Sequence, residues 1–352
     1  MFQCARLRRA LLALAVVLAV VVPVTASSRH HIPAPAPARL AQPTAAALPQ
    51  VYAANRANIR RAAREAAAAG ARGRAARLRA LGSDGRQYLA FDGRGSGRVV
   101  EVLGDLAHAD RVAVLVPGAD TTLDTYDALG DGPPADLGRA DGAASSCAPP
   151  AADAERVDHR ALGGAGLELR RELCAQDPAA RVAVVTWLGY DTPGLTGPAI
   201  LTDARARAAA PALSSFVAAV HRIDPGATVT LLCHSYGSVV CGRAAPRLDV
   251  ASIALFASPG VGAPDVAALR TRAVVWAGRG SSDWIAGVPH LTIDLPFGFG
   301  LGFGQDPTAA AFGARPFAAG PGGHSDYFAP GSLPLRNLAR IVLDLAPETA
   351  HA

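Results

Sequence analysis

The chain contains no lysine. Its positive charge rests on 34 arginines against 29 acidic residues, a formal net charge of +5 over 352 residues. The Gly-rich segments therefore lack the lysine of a phosphate-binding loop. Aromatics make up only 5% of the residues, and no stretch interleaves them with basic residues as nucleic-acid binders do. No His-x-x-x-His or Cys-x-x-Cys spacing occurs, so neither a metal nor another cofactor is expected. The run Ala10 to Val22 is too short for a comfortable membrane span. There are no internal repeats. The abundance of Ala and Arg matches a GC-rich genome, so the net charge says little about an acidic partner.

What is present begins with a targeting segment, residues 1–26. Arg6, Arg8 and Arg9 form a positive start, the apolar run follows, and Val24-Thr25-Ala26 offers a small-residue cleavage site. The rival reading is an uncleaved anchor. Arg8-Arg9 alone does not make a twin-arginine signal, and Cys4 precedes the apolar run, so it is not placed as a lipoprotein cysteine. Cleavage near Ala26 leaves Cys147, Cys174, Cys233 and Cys241. In an exported protein four cysteines suggest disulfides, with three possible connectivities. The favoured pairs are Cys147–Cys174 and Cys233–Cys241; the rival is four buried thiols. Residues 27–50 are Pro/Ala-rich and read as an extended linker. Residues 51–82 are Ala/Arg-rich and helical in propensity. Arg56, Arg60, Arg61 and Arg64 recur there at helical spacing and read as a solvated face.

Residues 83–347 read as one α/β domain. A hairpin over 86–92 and 98–103 leads to strands near 111–117, 181–187, 228–234, 252–257 and 273–278, with helices at 203–221, 237–247 and 334–345. Such alternation predicts a mostly parallel central sheet with helices on both faces. Residues 120–160 and 297–322 are insertions, the first a candidate lid. Phe297, Phe299, Phe303 and Phe312 either line an apolar acyl pocket or pack a loop onto the core.

One segment carries chemistry. In Thr228-Val-Thr-Leu-Leu-Cys-His-Ser235-Tyr-Gly237-Ser a buried strand gives way to a helix within a few residues. That places Ser235 on a strained bend with its hydroxyl exposed, the context of a nucleophile elbow. An ordinary helix N-cap serine is the plain alternative. Cys233 stands where the usual Gly-x-Ser-x-Gly motif has glycine; it is small enough to fit.

A serine nucleophile needs a base, and the base a carboxylate, in the chain order Ser, Asp, His for this context. Asp283 ends a Gly-rich loop after the strand near 273–278, and Asp306 is its runner-up. His324, after Gly322-Gly323 and before the last helix, is the expected base. His290 competes, and His234 reads as a residue that shapes the elbow. Oxyanion donors are expected at the Tyr236 amide and at Gly118 or Ala119, after the strand 111–117.

Val116-Pro-Gly118, Trp187-Leu-Gly-Tyr190-Asp191-Thr-Pro193, His234-Ser-Tyr-Gly-Ser238, Phe312-Gly-Ala and Gly323-His-Ser-Asp-Tyr327 occur in this order. Together they resemble an actinobacterial secreted α/β-hydrolase family long catalogued as a domain of unknown function, over roughly residues 85–345. The departures are Cys233 and the aromatic–glycine run 297–304. The resemblance implies the α/β-hydrolase fold and a serine hydrolase activity without naming a substrate. It also suggests that Tyr190 and Asp191 border the site. The expectation is an exported serine hydrolase acting on a small-molecule or lipid ester through an acyl-enzyme. No nucleic-acid partner is expected, and a transient cell-envelope association is open. The alternatives are an acyltransferase to a cell-envelope acceptor and an inactive binding module on the same fold.

Overall fold

Eight strands form one sheet in the order β1-β2-β4-β3-β5-β6-β7-β10. They are β1 (Gln87–Asp92), β2 (Arg98–Leu103), β3 (Arg111–Val116), β4 (Val182–Leu188), β5 (Thr228–His234), β6 (Ser252–Phe256), β7 (Val274–Gly278) and β10 (Arg315–Pro316). A separate antiparallel pair is β8 (Ile293–Leu295) with β9 (Phe299–Leu301). The helices are α1 (Leu48–Ala68), α2 (Arg72–Leu81), α3 (Leu162–Gln176), α4 (Ala204–Ile223), α5 (Tyr236–Ala244) and α6 (Leu333–Val342). The computed structural model describes residues 32–40, 42–128, 147, 157–291, 293–295 and 299–349. The targeting segment 1–26 and most of the candidate lid lie outside them. Among the described residues no helix is long and apolar enough to cross a membrane.

β1, β2 and β4 are antiparallel neighbours, and from β4 through β3, β5, β6 and β7 to β10 every pair is parallel. β3 and β5 read as continuous apolar runs because both faces of a parallel sheet are covered. Side chains alternate between the faces. Val229, Leu231 and Cys233 join the core cluster that includes Val217 of α4 and Val240 of α5. Leu232 and His234 point to the opposite face, where the His234 ring meets those of His324 and Tyr327.

The strand boundaries match the sequence expectation within a residue or two, but α3, β9 and β10 were not expected. α3 runs through Gly163, Gly164 and Gly166, a stretch to which the sequence assigned no element. A Cβ on Gly163 would stand 2.4 Å from Asp127 Oδ1, and one on Gly166 2.5 Å from Thr186 Cγ2. These glycines let the helix lie closer to the sheet than any side chain would allow. β10 has only two residues, and β9 falls in the aromatic–glycine run 297–304.

The described residues from Pro33 onward cluster into one compact unit, which takes in the expected helical segment and part of the expected linker. α1 begins at Leu48, inside that linker, and Leu48 and Tyr52 enter the core cluster. Asn55 of α1 donates to the Tyr88 carbonyl of β1 at 2.9 Å. Two of the expected solvated arginines are engaged instead: Arg56 donates to the Arg86 carbonyl, and Arg60 to the Gly82 carbonyl and Asp84. Arg86 itself is buried between two carboxylates. It bonds Glu101 through Nε and Nη2, at 2.6 Å each, and Asp127 at 2.8 and 3.0 Å. Both favoured disulfides are present, Cys147–Cys174 and Cys233–Cys241.

Candidate active site

Ser235 joins β5 to α5 at φ 52° and ψ −126°. A non-glycine residue in that region carries roughly 1–3 kcal/mol of strain, which its surroundings must hold. They do so through the Ser235 amide, which donates to the Phe256 carbonyl at 3.0 Å, and the Ser235 carbonyl, which accepts from the Ser238 amide at 2.9 Å. The Ser238 hydroxyl closes the turn onto the Cys233 carbonyl at 3.0 Å. Cys233, at the motif's usual glycine position, is bonded through its sulfur to Cys241 on α5.

The structure brings Ser235, His324 and Asp283 into one hydrogen-bonded row. His324 Nε2 lies 3.0 Å from Ser235 Oγ, and His324 Nδ1 lies 2.8 Å from Asp283 Oδ1. The Asp283 side chain is fully buried, and that of His324 is 14% exposed. Asp283 Oδ1 also accepts from the Ile285 amide at 3.0 Å, and Oδ2 from the Tyr327 hydroxyl at 2.8 Å. Burial pushes the Asp283 carboxyl up, but the hydrogen bonds from His324, Ile285 and Tyr327 outweigh it and hold the group below its ordinary range. A carboxylate so held keeps Nδ1 protonated and leaves Nε2 free to accept the serine proton.

The rivals are placed elsewhere. Asp306 pairs with Arg279 at 2.5 Å, and His290 stands 3.7 Å from that same carboxylate. His234 points back under the base. Its Nε2 donates to the His324 carbonyl at 2.8 Å, and its ring lies between Phe256 and His324. Burial, with His324 beside it, pushes the His234 ring down to about 4, so at neutral pH it is an uncharged donor. Tyr327 passes on a second bond, accepting from the Gly280 amide at 2.9 Å while it holds Asp283. The sequence carried no signal for either bond beyond adjacency to motif residues.

Gly118 faces the serine. A Cβ there would lie 2.7 Å from Ser235 Cβ and 3.2 Å from Oγ. Gly118 and Ala119 both line a cavity of about 230 Å³ that also reaches Ser235 and His324. The Tyr236 amide opens α5, where the first N–H groups have no partner within the helix. Its side chain turns away, bonding the Thr202 carbonyl at 2.7 Å.

Tyr190 and Asp191 are not among the residues lining this cavity. Tyr190 is buried, stacked on Trp187, and donates to the Pro117 carbonyl at 2.7 Å, so it braces the loop that carries Gly118. Asp191 pairs with Arg98 at 2.9 Å and accepts from Ser96. Of the four phenylalanines, Phe303 and Phe312 are buried in the core cluster, with Phe303 edge-on to Tyr236. Phe297 lies outside the described residues.

A family model described as alpha/beta hydrolase matches residues 92–132 and 152–293. An uncharacterized protein of Mycobacterium tuberculosis (strain H37Rv) is 31% identical over 201 residues, which is 50% of this chain and 31% of that one. The chain thus spans about a third of the length of the curated relatives it matches. Among solved structures, esterase PE8 aligns with a TM-score of 0.42 at 14% identity, covering 69% of this chain and 97% of that one. A serine hydrolase without a lid from Xanthomonas campestris aligns with a TM-score of 0.40 at 16% identity, covering 74% and 95%.

Proposed function

Because this chain belongs to the alpha/beta hydrolase family, we propose that it is a serine hydrolase that cleaves a carboxylic ester through Ser235, His324 and Asp283. The observation that carries this reading is the unbroken row from Ser235 Oγ through the His324 ring to the buried Asp283, with the serine on a strained bend.

His324 Nε2 takes the proton of Ser235 as Oγ bonds the ester carbonyl carbon. The carbonyl π pair moves onto oxygen, where the Tyr236 amide and that of Gly118 or Ala119 stabilise it; one such donor typically supports 10²–10³ in rate. The tetrahedral species collapses, the C–O bond to the alcohol breaks, and His324 returns its proton to the leaving oxygen. Water then repeats the sequence on the acyl-enzyme: it loses a proton to His324, attacks the carbonyl, and releases the acid and Ser235. Asp283 keeps its charge throughout and holds the tautomer.

Export is part of the same proposal. Two disulfides are at home in an oxidising compartment, and residues 1–26 have the composition of a secretory signal.

Fluorophosphonate labelling with peptide mapping tests the reading. Label on Ser235 that is lost in Ser235→Ala and sharply reduced in His324→Ala is the expected result. A folded wild-type protein that takes no label and turns over no ester would overturn it in favour of a binding module.

A further inference from the structure

Resting on the serine-hydrolase reading, we propose that the cavity beside Ser235 has two chemically distinct halves, and that together they select esters of a short acyl chain with a hydroxylated alcohol.

The apolar half is built from α3, β5, β6 and the loop before α6. Leu162 and Ala165, one turn apart on α3, form a wall. Leu232 of β5 and Phe256 of β6 line it from the sheet, together with Phe328, which packs edge-on against Phe256. Gly163 and Gly166 let α3 lie against Asp127 and Thr186, where any side chain would clash. The face bearing Leu162 and Ala165 is thereby brought close to the strands, and a pocket walled by a closely packed helix and core side chains has little room for a long chain. Its size agrees: about 230 Å³ falls below the ~300–1,000 Å³ of pockets that enclose drug-sized ligands.

The other half comes from the β3–α3 connection. Asp120, Thr121, Thr125 and Arg160 line it. The Thr125 hydroxyl accepts from the Thr122 amide, and the Asp120 amide is tied to the Pro193 carbonyl at 2.9 Å, so these groups are fixed rather than loose. A carboxylate, two threonines and a guanidinium offer both donors and acceptors. Thr125 already donates to the Asp120 carbonyl and Arg160 Nε to Asp158, so the Asp120 carboxylate and the remaining guanidinium N–H groups are left to the alcohol: its hydroxyls can bond them, and an alkyl alcohol cannot. Leu195 is the apolar exception at this rim.

The test compares kcat/KM of the full, disulfide-formed protein on p-nitrophenyl acetate, butyrate, octanoate and palmitate, and on glyceryl against n-butyl butyrate. Fluorophosphonate labelling of Ser235 runs alongside. The expected result is at least a tenfold preference for acetate or butyrate over octanoate, the scale at which a pocket resolves a few methylenes, and a preference for the glyceryl ester. Leu162→Ala should extend activity toward octanoate, and Ala165→Leu should confine it to acetate, both with labelling retained. Octanoate or palmitate as the best wild-type substrate would overturn the acyl half, whether or not the variants fold. So would labelled variants that keep the wild-type chain-length profile. Equal turnover of the two butyrates would overturn the alcohol half. Absence of both label and turnover would instead count against the serine-hydrolase reading itself.

Discussion

The ring of His234 donates to the main-chain carbonyl of His324 at 2.8 Å, so the residue just before the serine holds the loop of the residue that bonds the serine. His234→Leu removes that tether and leaves the row Ser235–His324–Asp283 chemically complete. The expected effect is a fall in kcat of about 10–100-fold, as for a catalytic group displaced by a fraction of an ångström, with KM little changed and far-UV circular dichroism preserved.

The same ring makes stability depend on pH. Its folded-state value, about 4, lies below the ordinary 6.5. Between these the unfolded chain binds more protons than the fold, so stability falls as pH drops from 6.5 toward 4 and then levels off. The whole effect is worth roughly 3 kcal/mol. Urea unfolding from pH 7 to 4 should show this slope in the wild type and a flatter line in His234→Leu.

Tyr327→Phe takes one hydrogen bond from Asp283 and leaves the Gly280 amide without its acceptor. A carboxylate with one fewer donor attracts the His324 proton more strongly. The acid limb of the kcat/KM profile should therefore move to higher pH, by up to about 0.7 unit, the equivalent of one hydrogen bond of about 1 kcal/mol. An unmoved limb would show that Tyr327 only fills space.

Gly118→Ala forces a methyl group to within 2.7 Å of Ser235 Cβ. The loop or the serine must shift, and either moves the oxyanion donors relative to Oγ. A loss on the order of 10²–10³ in kcat is expected, the scale of a missing oxyanion donor. The thermal midpoint should change far less than the rate.

Arg86→Met leaves Glu101 and Asp127 buried without their shared cation. Breaking a buried pair from one side costs about 3–5 kcal/mol. Adding Glu101→Gln and Asp127→Asn should recover part of that loss in thermal melts, because neither amide carries a charge to bury.

Legibility in the sequence followed the range of the forces involved. β3 and β5 were readable because a strand buried on both faces is a continuous apolar run. Ser235, Asp283 and His324 could be named because a short strand-to-helix turn and two Gly-rich loops occur in a fixed chain order. α3 was not readable: Gly163 and Gly166 look like loop residues until Asp127 and Thr186 are seen pressed against them. Phe303 and Phe312 are apolar wherever they go, and only packing sends them to the core rather than to the cavity. The placement of Tyr190 behind Pro117 and the bonds made by His234 and Tyr327 depend on ring positions that no spacing encodes.

The Cys233–Cys241 bridge has a consequence for how the protein is made. It closes a loop of only 8 residues, and short closures cost little chain entropy. The bend that carries the serine can thus be stapled as soon as β5 and α5 meet an oxidant, with no other part of the chain in place. His324 reaches the serine across 89 residues of later chain. The bend of the nucleophile is thus closed by local chain alone, while the group that activates it must be brought from far along the chain.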